Sequence, residues 1–231
     1  MAAFPAHLEN HRKESEWKMN LLLVGNSFTY YNDMPEILGA LARDNGRQVN
    51  VYAFTRGGHR LSQYIEEPKL YEAFQGVFSV RHYDLCVLQE YSTQPAFDYA
   101  AFIQGVTGVM EKTNGTVDKY LLYETWGYKE GNPQMKEWGT THDELSEKLC
   151  AAYASAAETF HLPVAHVGTA FRKIVSSHPE IELYAGDMKH PSYLGSVLAA
   201  LTLYKAIFGE KPVNVSSLEL EQSVLDIFLN T

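Results

Sequence analysis

Three short segments of the chain carry residue types that can do covalent chemistry together. Gly25-Asn26-Ser27-Phe28-Thr29 places a serine in a glycine-bearing turn after the apolar run Leu21-Leu22-Leu23-Val24. A hydroxyl there stands at the rim of a sheet as a candidate nucleophile. Such a hydroxyl needs a base, and Gly186-Asp187-Met188-Lys189-His190-Pro191-Ser192 offers one near the other end of the chain. Residues three apart near a helix start can share a face, so Asp187 can accept a hydrogen bond from one nitrogen of His190. That fixes the tautomer in which the other nitrogen takes the proton from Ser27. Gly57-Gly58 supplies backbone amides with no side chain in the way, suited to a developing oxyanion. Gln89, which ends the run Leu85-Cys86-Val87-Leu88, adds a carboxamide that could donate there too, with Ser92 and Gln94 close behind.

Taken singly, each segment also has a plainer role. Ser27 and Thr29 suit turn or helix-terminal amides, and Asp187 or Ser192 suits a helix N-cap. Gly57-Gly58 suits a turn of positive φ, and Gln89 suits a tie between two loops. The Ser27 segment is not the Gly-x-Ser-x-Gly elbow of the α/β hydrolases.

The elements that must hold these residues alternate. Apolar runs at 20–24, 48–54, 84–89, 119–125 and 163–167 read as strands. Helical spacing appears at 68–78, 97–112, 141–160, 192–208 and 218–229. An earlier helix starts at Asp33-Met34-Pro35-Glu36, with Asp33 capping and Glu36 reaching back, and ends at Asn45-Gly46. This order predicts an α/β fold with a parallel sheet covered on both faces. Ligands bind outside the carboxyl ends of such strands, and Ser27, Gly58 and Gln89 all fall there. The stretch 126–140 reads as a long functional loop, because Gly127, Gly131, Asn132, Pro133 and Gly139 break any periodicity.

These pieces together resemble the SGNH hydrolase superfamily, the GDSL-type esterases and lipases, over nearly the whole span from Leu21 to Phe208. Leu22-Leu23-Val24-Gly25-Asn26-Ser27-Phe28-Thr29 looks like the first block, Gly58 matches the glycine of the second, and Asp187-x-x-His190-Pro191 is similar to the last. The third block departs: Leu88-Gln89-Glu90-Tyr91-Ser92 stands where the superfamily usually has Gly-x-Asn-Asp. A bacterial, mostly uncharacterised branch with Gly-Asn-Ser-Phe-Thr and a Leu-Gln third block looks most alike. The resemblance implies a three-layer α/β/α sandwich of flavodoxin-like topology, with 1–231 as one domain, a polar extension at 1–18 and a C-terminal helix within 216–231. It implies a catalytic trio of Ser27, Asp187 and His190, and an oxyanion hole from the amides of Ser27 and Gly58 with the Gln89 side chain.

The implied activity is hydrolysis of short acyl esters, acetyl first, on a carbohydrate or glycoside. Tyr30, Tyr31, Trp126, Tyr128 and also Trp138 offer flat faces for a sugar ring, whereas Tyr123 inside a strand is expected in the core. The rival reading is a module that holds a carbohydrate or small anion without turnover. A phosphate-cradling turn at Gly25 to Thr29 ranks behind both, because the segment lacks the lysine and spacing of a phosphate loop.

Composition bounds the rest. The net charge of −9 repels phosphate backbones and anionic membrane surfaces, which argues against nucleic acid and membrane partners. Two cysteines, Cys86 and Cys150, exclude a disulfide framework, and the start of the chain lacks an apolar leader, so the expected location is the cytoplasm. The chemistry requires no cofactor or metal, and His59, His82, His142, His161, His166 and His178 have no ligand spacing. The apolar C-terminal helix is expected to dock on its own domain or on a second subunit.

Overall fold

Five strands form one parallel sheet in the order β2-β1-β3-β4-β5: β1 (Met19–Gly25), β2 (Val49–Thr55), β3 (Leu85–Leu88), β4 (Tyr120–Tyr123) and β5 (Val164–Ala165). The computed structural model describes residues 18–231, so the sequence-predicted extension at 1–18 lies outside the described residues except for Lys18. Alternation along each strand splits its side chains between two cores. Leu21, Leu23, Leu85, Val87 and Leu121 enter one, while Leu22, Val24, Cys86, Leu88 and Leu122 enter the other. A sheet buried on both faces needs continuous apolar runs, which is how these strands read in sequence.

Eleven helices among the described residues pack on that sheet. They are α1 (Ser27–Tyr30), α2 (Met34–Asp44), α3 (Gln63–Glu66), α4 (Pro68–Ser79), α5 (Gln94–Phe97), α6 (Tyr99–Lys112), α7 (Pro133–Trp138), α8 (His142–Phe160), α9 (Val167–Ser177), α10 (Tyr193–Phe208) and α11 (Gln222–Leu229). One core takes Leu38 and Leu41 of α2, Phe171 and Ile174 of α9 and the apolar length of α10. The other takes Phe74 of α4, Phe102 and Val106 of α6 and Tyr153 of α8. The result is the expected α/β/α layering. No helix among the described residues is long and apolar enough to cross a membrane.

Several local expectations are corrected. Asp33 does not cap α2: it and Asn32 both have φ of 53°, so its carboxylate makes no cap hydrogen bond, and Glu36 pairs with Arg43 instead. The left-handed pair is held by Asn32, whose Nδ2 donates to the Pro191 carbonyl at 3.1 Å and to Ser196 Oγ at 2.8 Å. The last strand is only two residues long rather than 163–167, because Val167 already belongs to α9, a helix that the sequence reading does not include. The C-terminal helix starts at Gln222 rather than 218, and Leu225 and Phe228 bury its apolar face against its own fold. The 126–140 stretch contains α7, capped by Asn132.

Candidate active site

The nucleophile turn is built from behind. β1 ends at Gly25, where a Cβ would lie 2.5 Å from both Gln89 Oε1 and Thr29 Oγ1, so only glycine lets the three groups meet. Gln89 Oε1 accepts from the Asn26 amide at 2.8 Å and from the Thr29 hydroxyl at 2.8 Å. An N–H donor must face an acceptor, which identifies this end of the carboxamide as the oxygen. Its Nε2 donates to the Glu90 carbonyl. Asn26 then caps α1: its Oδ1 accepts from the Phe28 amide at 3.1 Å and its Nδ2 donates to the His59 carbonyl at 2.9 Å. Ser27 is therefore the first residue of a single helical turn.

His190 Nε2 lies 2.8 Å from Ser27 Oγ, and His190 Nδ1 is bonded to Asp187 Oδ2. The other oxygen, Asp187 Oδ1, accepts from the amides of Lys189 at 3.1 Å and His190 at 3.0 Å. Burial pushes the Asp187 carboxyl up, but hydrogen bonds from the His190 ring and from the His190 and Lys189 amides outweigh it and hold the pKa below the usual range. Asp187 is thus ionised and aimed at the imidazole. The two residues do not meet on a helix face. They meet in a tight turn with Met188 at φ 64°, and α10 starts only at Tyr193, capped by Ser192. Tyr31 covers the imidazole, stacked at 4.3 Å between ring centroids and 6° from parallel.

Around Ser27 and His190 opens a cavity of about 270 Å³, with Tyr30, Tyr31, Tyr91 and Tyr128 in its walls and Gly57, Gly58, Ser92 and Lys189 beside them. Gly58 has φ +73°, a backbone conformation suited to glycine, and neither its amide nor that of Ser27 donates to another group among the described residues. Both residues line the cavity. Tyr128 is buried but reaches the cavity, its hydroxyl 2.8 Å from Ser92 Oγ.

Two assignments fail. Gln89 does not line the cavity: it is fully buried and all its polar atoms are engaged in holding Asn26, Thr29 and Glu90. Trp126 is not a sugar platform, being fully buried and stacked between Phe28 at 4.3 Å and Phe171 at 4.2 Å. Its Nε1 donates to the Lys189 carbonyl at 3.1 Å, so it braces the nucleophile turn and the acid–base turn together. Trp138 packs on Phe97 and lies outside the cavity lining. Tyr123 is in the core as expected, its hydroxyl donating to the Phe28 carbonyl at 3.2 Å.

Sequence reasoning missed Tyr91 and Lys189. Each lies inside a segment picked out for its neighbours, and that position was the available signal. It also missed Glu90, a buried carboxyl whose Oε1 accepts from the amides of Leu61 at 3.1 Å and Tyr91 at 2.6 Å, tying the loop after β2 to the loop after β3. Burial pushes this carboxyl up to about 7 despite those two amides.

A protein from Slackia heliotrinireducens, classed as an SGNH hydrolase, superposes with a TM-score of 0.72 and 31% identity over 82% of this chain and 99% of its own. The chain belongs to the SGNH hydrolase superfamily. A DUF4886 family protein from Bacteroides uniformis shares the fold with a TM-score of 0.75 at 15% identity, over 92% of each chain. Axe2, an acetylxylan esterase from Geobacillus stearothermophilus, does so with a TM-score of 0.58 at 15% identity, over 83% of this chain and 93% of its own. No protein-family model and no curated protein matches the sequence. In this SGNH hydrolase the unusual third segment divides its work: Gln89 faces the nucleophile turn, and Tyr91 and Ser92 face the cavity.

Proposed function

We propose that the protein is a serine esterase that removes short acyl groups, acetyl first, from a carbohydrate ester through an acyl-enzyme on Ser27. The observation that carries this reading is the chain of hydrogen bonds from Asp187 through His190 to Ser27 Oγ, open to a cavity. His190 Nε2 takes the hydroxyl proton as Oγ attacks the ester carbonyl, and the oxyanion sits on the amides of Ser27 and Gly58. His190 then hands the proton to the leaving alkoxide. Water attacks the acyl carbon with His190 again taking its proton, the C–Oγ bond breaks, and Ser27 recovers its hydrogen as the acid departs.

A volume of about 270 Å³ favours a short acyl group with part of a sugar ring over a long chain. Tyr30, Tyr31, Tyr91 and Tyr128 line the space that such a sugar would enter. The acetylxylan esterase activity named for Axe2 supports the substrate class through the shared fold. One observation favours the rival reading of binding without turnover: with Gln89 turned away, the third segment brings no carboxamide to the hole.

Hydrolysis of 4-nitrophenyl acetate, butyrate and octanoate by wild type, Ser27→Ala and His190→Ala separates the two. The esterase reading expects acetate to be cleaved best and both variants to lose the rate. Equal rates in all three proteins contradict it, and an inert wild type that binds acetylated sugars supports the rival.

A further inference from the structure

Lys189 stands next to His190, and its side chain has no polar partner among the described residues. Its backbone is held at both ends, the amide donating to Asp187 Oδ1 at 3.1 Å and the carbonyl accepting from Trp126 Nε1 at 3.1 Å. The residue is half-buried and lines the cavity, yet its ammonium has no hydrogen bond or ion pair among the described residues. Lys129, which donates to Glu182, shows the usual arrangement. No Asp or Glu among the described residues lines the cavity, and Asp187, two residues away, is spent on His190.

We infer that Lys189 selects esters whose alcohol half carries a carboxylate, in the first instance an acetylated sugar ring of the uronate type. The inference rests on the esterase reading of the same cavity. An ammonium without a carboxylate partner, at the wall of a cavity that no Asp or Glu among the described residues lines, is open to pair with an anionic ligand group, whereas one already held in an ion pair is not. The field of a chain with net charge −9 disfavours anions at long range, and a local cation at the cavity wall offsets that at the site. The tyrosines that line the cavity carry no charge at neutral pH and leave recognition of charge to Lys189.

The test uses two esters of one shape: the acetyl ester of 4-hydroxybenzoate, which is anionic, and that of 4-hydroxybenzamide, which is neutral. Wild type is expected to favour the anionic ester in kcat/KM. Lys189→Met is expected to lower kcat/KM for the anionic ester by roughly 10- to 100-fold, mainly through KM, with a much smaller change on the neutral ester. Lys189→Arg should restore most of the preference. Equal losses on both esters would mean that Lys189 only supports the turn, and a wild type without charge preference would overturn the inference while leaving the esterase reading intact. A wild type that cleaves neither ester removes the esterase reading, and calorimetry then decides. Ser27→Ala should bind glucuronate in preference to glucose and lose that preference when Lys189→Met is added; indifference between the two sugars overturns the inference.

Discussion

The carboxamide oxygen of Gln89 lies 2.8 Å from the amide nitrogen of Asn26, so this side chain holds the nucleophile turn from behind and is absent from the cavity in front of it. The same oxygen holds Thr29, and Gly25 leaves the space in which all three meet. Gly-Asn-Ser-Phe-Thr and Leu-Gln are therefore two halves of one clamp.

Gln89→Ala should act first on stability. It strands the buried Asn26 amide and leaves a cavity, a loss of about 2–4 kcal/mol by urea denaturation. Turnover should fall together with the melting temperature. Wild-type stability with a kcat reduced by about 100-fold would instead mark an oxyanion donor.

Ser92 carries the hydroxyl that the third segment does present to the cavity, paired with Tyr128. If that hydroxyl completes the oxyanion hole, Ser92→Ala lowers kcat by about 10- to 100-fold with KM little changed. Tyr128→Phe, which removes only the partner, should have the same direction and a smaller size. An unchanged kcat in Ser92→Ala leaves the hole to the backbone amides of Ser27 and Gly58.

Trp126 joins the turn of Ser27 to the turn of Asp187 and His190 by packing on Phe28 and donating to the Lys189 carbonyl. Trp126→Phe keeps the stack and loses the hydrogen bond, an expected cost of about 1 kcal/mol with reduced kcat. Trp126→Ala should cost about 3–5 kcal/mol. A rise in KM alone, at wild-type stability, would mean that the ring touches substrate after all.

Much of this architecture is legible in the sequence because strands buried on both faces must be apolar at every position, as in Leu21 to Val24. The longer helices show equally plain spacing. Helices of one turn, such as α1, α3 and α5, carry too few residues for a period to show. At Val167 the apolar run crosses from an edge strand into α9, and pattern alone does not mark the border. Ser27, Asp187 and His190 could be picked out as candidates because such chemistry limits which residue types can serve, and the fold brings the three into one hydrogen-bonded chain. The roles of Gln89 and Trp126 were not legible, since a strand-end residue can turn toward the cavity or the core and only tertiary contacts decide. Asp33 misled for a related reason: the cap motif is present, but the ties of Asn32 to Pro191 and Ser196 impose a backbone that prevents its use.

Glu90 gives the pH dependence a definite sign. Its carboxyl is raised from 4.5 to about 7 by burial, so between those values the unfolded chain releases a proton that the folded chain retains. Stability therefore falls as pH rises through that window and levels off above it, by on the order of 3 kcal/mol from this group. Glu90→Gln keeps an acceptor for Leu61 and Tyr91 and cannot ionise. Its stability relative to wild type should grow between pH 4.5 and 7 in denaturant titrations, and a constant difference across the window would contradict the assignment.

The most direct test of the account is to follow 4-nitrophenyl acetate in the first turnover and to locate the acyl group by mass spectrometry of the quenched protein. The account predicts a burst of 4-nitrophenolate no larger than the enzyme concentration, one acetyl group on the peptide containing Ser27, and neither signal in Ser27→Ala. Acetyl on another residue, or undiminished hydrolysis by Ser27→Ala, would contradict it.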